Sequence, residues 1–188
     1  MQTRLVRHPD TPCAAAIAIE VGISRPMASM LGLRFSLTGD LDALVIPPRL
    51  DSRRTDELWK HTCFEAFLRG PRQGDLGEAY AEFNFAPSTR WAAYRFDGYR
   101  AGMTPLNFAF TPMVTSTRAG GQLEVRTMLD LSGVDLLPET APWTAGVSAV
   151  IEEVGGRISY WAAAHAPTRP DFHHSDGFAL ELAAGSGP

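Results

Sequence analysis

The strand pattern of this chain is clearest in residues 58–96, LWKHTCFEAFLRGPRQGDLGEAYAEFNFAPSTRWAAYRF. This stretch contains three short runs in which apolar or aromatic residues alternate with polar ones, CFEAFL (63–68), AYAEFNFAP (79–87) and RWAAYRF (90–96). Alternation with a period of two over short, aromatic-rich runs is typical of antiparallel β-strands. The stretch therefore predicts three neighbouring strands, each with one core face and one polar-aromatic face.

The polar-aromatic faces of these strands form the predicted functional surface. In the first two runs, Glu65 and Glu82 lie on the faces opposite to Phe64 and Phe83. Successive side chains of a strand point to opposite faces of the sheet, so neighbouring strands add their polar faces together. We expect one sheet surface to carry Glu65, Glu82, Asn84, Trp91 and Arg95.

The rest of the chain repeats the strand pattern. Further alternating or apolar runs lie at 3–8, 14–24, 29–40, 41–48, 112–130, 144–165 and 177–182. Gly120-Gly121 and Gly155-Gly156 predict hairpin turns, because glycine readily adopts positive φ. No amphipathic helix exceeds two turns, and turn signals recur at the spacing of a sandwich or barrel. The prediction is an all-β, antiparallel, jelly-roll-like β-sandwich of about eleven strands. It is a single domain over residues 1–188, with its core at 5–183 and a flexible tail at 184–188.

Composition narrows the classes of partner. The chain has 188 residues and a net charge of −4, which provides no basic surface for nucleic acid. The longest apolar run near the start, residues 13–19, is too short to cross a bilayer and makes a poor signal peptide. We expect a cytoplasmic protein with no nucleic-acid or membrane partner; the oligomeric state stays open. Two distant cysteines, Cys13 and Cys63, are expected to be reduced thiols.

Two pairs of residues have a catalytic interpretation. Glu65 and Glu82 resemble the carboxyl pair of glycoside hydrolases, but a structural network with Arg95 and a ligand site each explain them better than catalysis does, and equally well as one another. His61 and Cys63 share a strand face and would make a base–nucleophile pair. No phosphate-binding glycine loop and no GxSxG motif occurs in the sequence. We therefore predict that the protein is not an enzyme.

The tryptophans and histidines are the remaining candidates for binding. Trp143 follows a proline and is predicted to be core, whereas Trp59 stands among polar residues and fits a ligand contact or the core equally well. The histidines show no zinc-binding spacing such as HExxH. One loop before the last strand combines four polar residues that fit loop hydrogen bonding, ligand contact or a metal site: Asp171, His173, His174 and Asp176. We predict no metal and no cofactor.

Several segments resemble a known family: LWKHTCFEAFL, YAEFNFAPSTRWAAYRFDGYR, SAVIEE, SYWAAAHAPTRPDFHH and GFALEL. Over roughly residues 5–183 the chain resembles bacterial DOMON-like proteins akin to the family 9 carbohydrate-binding module. The most specific parts are the spacing from Trp59 to Glu65 and the EFNFAP strand. The resemblance implies a sandwich of two antiparallel sheets, with a small ligand bound on or beside one sheet. In the sugar-binding members, two aromatic residues clamp a sugar ring while polar side chains bind its hydroxyls.

The resemblance also implies roles by position. Trp59 matches the first aromatic residue, and Glu65 matches the carboxylate six residues further on. The second aromatic residue is expected in the loop before the last strand. The resemblance implies further polar contacts from the next strand, here Glu82 and Asn84, and a basic partner, here Arg95. In that loop the chain has Phe172, His173 and His174.

The combined prediction is a non-catalytic β-sandwich that binds a small, carbohydrate-like ligand. Predicted stacking residues are Trp59, Trp91, Trp161 and Phe172; predicted hydrogen-bonding residues are Glu65, Glu82, Asn84 and Arg95; predicted rim residues are His61, His165, His173 and His174. One alternative is a haem-binding electron-transfer domain of the DOMON type, with a histidine and a methionine such as Met103. The others are an enzyme using the pairs named above, and a protein-interaction module with a vestigial pocket.

Overall fold

The computed structural model describes residues 1–71 and 78–185. These residues form twelve strands: β1 (Gln2–Arg7), β2 (Ile17–Ser24), β3 (Met30–Gly39), β4 (Cys63–Arg69), β5 (Tyr80–Phe85), β6 (Trp91–Phe96), β7 (Thr104–Pro105), β8 (Met113–Ala119), β9 (Gln122–Asp130), β10 (Trp143–Glu152), β11 (Ile158–Ala162) and β12 (Leu180–Leu182). Single 3₁₀ turns occur at Leu41–Ala43, Leu58–Lys60 and Ser175–Gly177. Every pairing between these strands is antiparallel. The all-β prediction is confirmed, with one strand more than the expected eleven.

The strands form two layers that share β1. The first sheet has the order β1–β2–β3–β9–β8, and the second has the order β7–β6–β5–β4–β10–β11–β1, with β12 beside the start of β10. Gln2–Leu5 pair with β2, whereas Val6 and Arg7 pair with β11. One continuous antiparallel sheet therefore curls until its two halves face each other, which confirms the predicted sandwich.

The main core lies between the two sheets. Phe35 of β3 stacks on Phe64 of β4, with ring centroids 5.0 Å apart. Trp143 is fully buried, and its Nε1 donates a hydrogen bond to the carbonyl oxygen of Pro138 at 2.9 Å. Buried aromatic rings remove large apolar areas from water, and a satisfied indole N–H avoids the cost of a lost hydrogen bond. The prediction that Trp143 is core is confirmed.

The hairpins follow the glycine signals, and one predicted strand does not form. β8 and β9 are joined through Gly120 and Gly121, which both have positive φ. β10 and β11 are joined through a turn in which Gly156 has positive φ. The strand predicted at 41–48 is wrong, because this segment is a 3₁₀ turn followed by an isolated bridge from Leu44 to Glu153. The two prolines that end the segment lack the N–H groups that a sheet ladder needs.

Membrane-spanning helices, the C-terminal tail and the cysteines were also subjects of prediction. Within residues 1–71 and 78–185, no helix is long and apolar enough to cross a membrane. The predicted flexible tail at 184–188 falls mostly outside the described residues, which end at 185. Cys13 and Cys63 are both free, and Cys63 is completely buried.

Candidate functional site

The outer face of the second sheet, the side turned away from the core, is covered by a smaller hydrophobic cluster. Its buried members are Phe67, Tyr80, Ala92, Tyr94 and Phe96, and Leu58, Trp59, Phe172 and Phe178 pack against them. The 3₁₀ turn at Leu58–Lys60 and the segment before β12 supply this cover. The sequence predicted strands with one half-buried face, but β4 and β5 are buried on both faces. Polar groups on this outer face are therefore shielded from water.

A cavity of about 440 Å³ opens within this cover. Its floor comes from the sheet strands, and its walls come from the 3₁₀ turn, the β6–β7 connection and the segment before β12. We call it the Glu65–Glu82 cavity; it is lined by Trp59, Glu65, Glu82, Phe96, Arg100, Met103, Val150, Tyr160, Pro170, Phe172 and His173. Its volume lies in the range of about 300–1,000 Å³ that is usual for small-molecule sites.

Two carboxyl groups form the polar part of the floor. Glu65 on β4 pairs with Asn84 on β5, so Glu82 is its diagonal neighbour on the same face. Glu65 is 2% exposed and Glu82 is 5% exposed. Ser148 Oγ donates to Glu65 Oε2 at 3.3 Å, and Asn84 Nδ2 donates to Glu82 Oε1 at 2.6 Å. The strands thus hold both carboxyl groups rigidly against the cavity.

Burial raises the pKa of both carboxyl groups. Desolvation and the charge of Glu82 hold the pKa of Glu65 well above its ordinary value. Desolvation also raises the pKa of Glu82 to about 7, against smaller opposing effects of Asn84 and Arg100. Like charges on diagonal neighbours disfavour simultaneous ionisation, so the pair shares protons near neutral pH.

His173 closes the cavity as a neutral side chain. Its Nδ1 lies 2.7 Å from the hydroxyl of Tyr80, and its Nε2 lies 3.8 Å from Glu82 Oε2. Its ring packs edge-on against Phe67 and Phe96 at centroid distances of 5.2 and 5.0 Å. Desolvation by these neighbours, together with the charge of Arg100, lowers the pKa of His173 to about 4.

Arg100 stands at the rim and anchors the segment that carries His173. It has a left-handed φ of 54° in the turn after β6, and its side chain is half exposed. Its Nε and Nη2 donate to Asp171 Oδ1 at 3.2 and 2.9 Å. The hydroxyl of Tyr99 donates to the other oxygen of Asp171, and the backbone N–H of His173 donates to Asp171 Oδ1. Asp171, which is almost fully buried, therefore ties the β6–β7 turn to the cavity wall.

The raised pKa of Glu82 predicts a pH-dependent difference between the protein and its Glu82→Gln variant. The folded state holds a proton that the unfolded state releases above the ordinary pKa of 4.5. The stability that this carboxyl contributes is therefore present below that pH and is lost as the pH rises to about 7. We expect Glu82→Gln to gain stability over the native protein across this window, by on the order of 3 kcal/mol.

Urea unfolding at several pH values measures this difference. The lowered pKa of His173 has the opposite effect, because the stability that His173 contributes is lost as the pH falls below 6.5. This contribution is present in both proteins and largely cancels in the difference. A stability difference that stays constant across the window would show that Glu82 ionises like an exposed carboxyl group.

Solved structures of other proteins share this fold at low sequence identity. A family 9 carbohydrate-binding module from Caldicellulosiruptor kristjanssonii in complex with glucose matches with a TM-score of 0.52 and 10% sequence identity, covering 98% of this chain and 85% of that chain. A structure of such a module from the same organism in complex with cellotriose matches with a TM-score of 0.51 and 10% identity, covering 99% and 84%. The fold resembles that of the family 9 carbohydrate-binding modules. No protein-family model and no curated protein matches the sequence.

Five of the predicted site residues line the Glu65–Glu82 cavity. They are Trp59, Glu65, Glu82, Phe172 and His173. Trp59 is half-buried and packs edge-on against Tyr94 at 5.6 Å, so it stands at the wall and not in the main core. Asn84 is fully buried beneath them and acts through its hydrogen bond to Glu82.

The predicted face of β6 is wrong. Phe85 pairs with Trp91 and Ala81 pairs with Arg95, so these two β6 residues share the core side of the sheet. Trp91 packs against Phe108 in the main core, and Arg95 pairs with Asp97 and Asp135. Tyr94 and Phe96 occupy the outer face in their place, opposite Glu82 and Tyr80.

Four other predicted residues lie outside the cavity lining. Trp161 is part of the main core, and its Nε1 donates to Ser159. His165 Nε2 donates to the carbonyl oxygen of Val6 at 2.7 Å. His61 lies 2.8 Å from Glu152. His174 Nδ1 accepts from the backbone N–H of Asp176, which is the loop hydrogen bonding that the sequence offered as one alternative.

The cavity also contains residues that the sequence reasoning missed: Phe96, Arg100, Val150, Tyr160 and Pro170. Met103, which the sequence analysis named only for the haem alternative, lines it as well. Phe96 follows from the correct register of β6. Val150 of β10 pairs with both Cys63 and Tyr160, which places Tyr160 on the same face as Glu65. The alternation along ISYWA (158–162) places Tyr160 and Trp161 on opposite faces. The sequence prediction chose the face of the larger Trp161. Arg100 has no sequence signal, because a left-handed turn positions it.

Two proposed kinds of chemistry have little support in this geometry. In the part of the chain that the structure describes, no group of three His, Cys, Asp or Glu side chains is arranged to hold a metal ion. Cys63 is fully buried, which raises the pKa of its thiol, and its Sγ contacts Asn84 Oδ1. The exposed His61 pairs with Glu152. A reactive cysteine needs an accessible thiolate beside a base, which this pair does not provide.

Proposed function

We propose that the protein is a non-catalytic carbohydrate-binding module whose ligand occupies the Glu65–Glu82 cavity. The observation that carries the proposal is one cavity in which an accessible tryptophan wall stands over two shielded carboxyl groups. Aromatic walls with a few fixed polar groups are the usual construction of small-molecule sites. The sugar complexes of the two structurally similar modules support the same class of ligand.

The walls provide two aromatic surfaces for the apolar face of a sugar ring. Trp59 forms one wall, and its packing against Tyr94 fixes its orientation. Phe172 forms the other, and its ring packs edge-to-face on that of Tyr160 in the floor, with centroids 5.9 Å apart. Because these rings are rigid, a ligand that stacks on them orders few side chains. The resemblance placed the second aromatic residue in the loop before the last strand, and Phe172 occupies that place.

The floor provides hydrogen-bonding groups for hydroxyls. A protonated carboxyl group both donates and accepts, as a sugar hydroxyl does. Glu65 and Glu82 project from neighbouring strands on one side of the cavity. In glycosidases the two carboxyl groups flank the scissile bond. Here both carboxyl groups lie on one sheet face and already accept hydrogen bonds from Ser148 and Asn84, which favours a role in binding.

Trp59→Ala is expected to abolish the ligand-induced thermal shift of this protein. A saturating sugar at about 100 times its dissociation constant adds roughly 2.7 kcal/mol, which corresponds to about 5–10 °C for a domain of this size. The test is a thermal-shift screen against mono- and disaccharides, followed by titration of any hit. Trp59→Phe should retain part of the shift. The matched control Glu20→Gln changes an exposed carboxyl on the other sheet and should retain all of it.

Silence of the native protein across the sugar panel would overturn the carbohydrate proposal and favour a protein partner. A shift that survives Trp59→Ala unchanged would place the binding site elsewhere.

The haem-binding alternative uses the same cavity, because His173 and Met103 both line it. However, the two ring nitrogens of His173 already face Tyr80 and Glu82, and its ring is wedged between Phe67 and Phe96. Axial ligation would require this ring to leave its packing. A Soret band in the purified protein, lost in His173→Ala, would favour the haem alternative over the sugar.

A further inference from the structure

We propose that the sugar bound in the Glu65–Glu82 cavity carries a protonated amine, so that the preferred ligand class is an amino sugar. The inference rests on the proposed function and refines its substrate class. It follows from the charge of the cavity: two buried carboxyl groups face the space, and the one cation at the rim is already paired.

Charged or titratable groups reach the cavity or its lining from three elements. The sheet contributes Glu65 from β4, Tyr80 and Glu82 from β5, Tyr94 from β6 and Tyr160 from β11. The segment before β12 contributes Asp171 and His173, and the β6–β7 turn contributes Tyr99 and Arg100. His173 is neutral near pH 7 because burial lowers its pKa to about 4. Neutral His173 therefore leaves the floor without a positive charge, and Glu65 and Glu82 would bring a charge of about −2 into this desolvated space once a bound cation drives both to ionise.

Arg100 balances this charge only in part. Its Nε and Nη2 both donate to Asp171 Oδ1, so the guanidinium and that carboxylate largely neutralise each other. Among residues 1–71 and 78–185, Arg100 is the one Lys or Arg side chain that lines the cavity. Glu65 receives a hydrogen bond from neutral Ser148, and Glu82 receives one from neutral Asn84. The floor thus lacks a cation between its two carboxyl groups, which is the place that a ligand ammonium would fill.

The walls favour the same ligand charge. Trp59, Phe96, Tyr160 and Phe172 surround the cavity, and aromatic faces attract a cation by about 0.5–2 kcal/mol each where water is excluded. Aromatic residues combined with carboxylates are the chemistry that proteins use for ammonium groups. A neutral sugar uses only the apolar surface and the hydroxyl contacts of this site. An amino sugar uses these and the charge as well.

Binding of an ammonium ion should release protons from the carboxyl pair. The raised pKa values mean that protons occupy the pair near neutral pH, and a cation placed between the carboxyl groups favours their ionised form. Affinity for the amino sugar should therefore fall by up to about tenfold per pH unit as the pH drops below neutral. A neutral sugar of the same shape should show a weaker dependence.

The test uses matched sugars and the complete chain. Glucose and glucosamine, galactose and galactosamine, and mannose and mannosamine are titrated by calorimetry near pH 7, in two buffers of different ionisation enthalpy. We expect at least one amino sugar to bind about tenfold more tightly than its neutral partner, with proton release to the buffer. Glu65→Gln keeps the side-chain volume and should reduce this preference to about threefold or less. If Glu65→Gln does not fold, Glu82→Gln is tested in its place and should reduce the preference in the same way. The control variant Glu20→Gln should keep the full preference.

The outcomes separate this inference from the proposed function. Equal binding of both members of a pair, without proton release, would overturn the amino-sugar inference and leave carbohydrate binding intact. Tighter binding of glucuronate than of glucose would also overturn it, since Arg100 would then recognise an anion. No binding of any of the six sugars would overturn the proposed function and the inference together.

Discussion

Phe67→Ala should lower the free energy of unfolding by about 3–5 kcal/mol, the usual loss for a fully buried aromatic ring. Phe67 is 1% exposed and lies beneath the Glu65–Glu82 cavity. Its ring contacts those of His173, Phe178 and Phe172, at centroid distances between 5.2 and 6.4 Å. These contacts hold the segment before β12 against the sheet, so the remaining structure cannot easily collapse into the void. The ligand-induced thermal shift should shrink as well, because the cavity wall loses its support.

Urea unfolding measures this loss as a lower midpoint with an unchanged slope. The matched control is Phe110→Ala, since Phe110 is 60% exposed and its truncation should change stability by less than about 0.5 kcal/mol. A loss below about 1 kcal/mol for Phe67→Ala would show that the aromatic cluster on the outer face is not tightly packed.

Gly39→Ala should lower stability by about 2–4 kcal/mol, although it adds only one methyl group. Gly39 ends β3 with a φ of +126°, a conformation that residues with a Cβ atom strongly disfavour. A Cβ atom there would overlap the backbone of Ala16 at its carbonyl oxygen. That oxygen accepts a hydrogen bond from the N–H of Asp40 at 3.2 Å, which the displaced backbone would lose. The pairing of Ile17 with Gly39 at this end of the β2–β3 ladder would open.

Gly155→Ala is the control for this substitution. A Cβ atom at Gly155 meets no atom within 4 Å, and its φ is not positive. Its stability should stay within about 0.5 kcal/mol of the native protein. If both alanine variants have the same stability, the backbone around Gly39 adapts more readily than its contacts indicate.

Much of the second sheet could be predicted from the sequence, because its apolar residues alternate strictly. In β4 and β5 the phenylalanines of one face alternate with Glu65, Glu82 and Asn84, so only one register buries the apolar set. In β6 both faces carry aromatic residues, and alternation alone does not say which face is core. The β5–β6 turn decides this: Ala86 donates to the carbonyl oxygen of Arg90, and Thr89 has positive φ. A one-residue difference in register exchanges the two faces, which is why Trp91 and Arg95 were misplaced.

The walls of the cavity were harder to predict than its floor. The polar neighbours of Trp59 and the family resemblance indicated Trp59, and the resemblance alone indicated Phe172; periodicity indicated neither. Arg100 depends on a turn in which the N–H of Asp97 donates to the carbonyl oxygen of Ala101 and the N–H of Ala101 donates to that of Gly98, and no regular pattern marks such a turn. Side chains on strands are placed by a repeat that the sequence displays, whereas side chains on connections are placed by tertiary contacts such as that of Arg100 with Asp171.

The division of β1 between the two sheets has a consequence for how the protein unfolds. Detaching this strand removes the ladder of Gln2–Leu5 from one layer and that of Val6 and Arg7 from the other at the same moment. Neither layer can then open as a separate cooperative unit while the other keeps its full edge. Backbone amides of β2 and β11, which flank β1 on its two sides, should exchange with deuterium at similar, slow rates. The molecule should lose its structure in one transition.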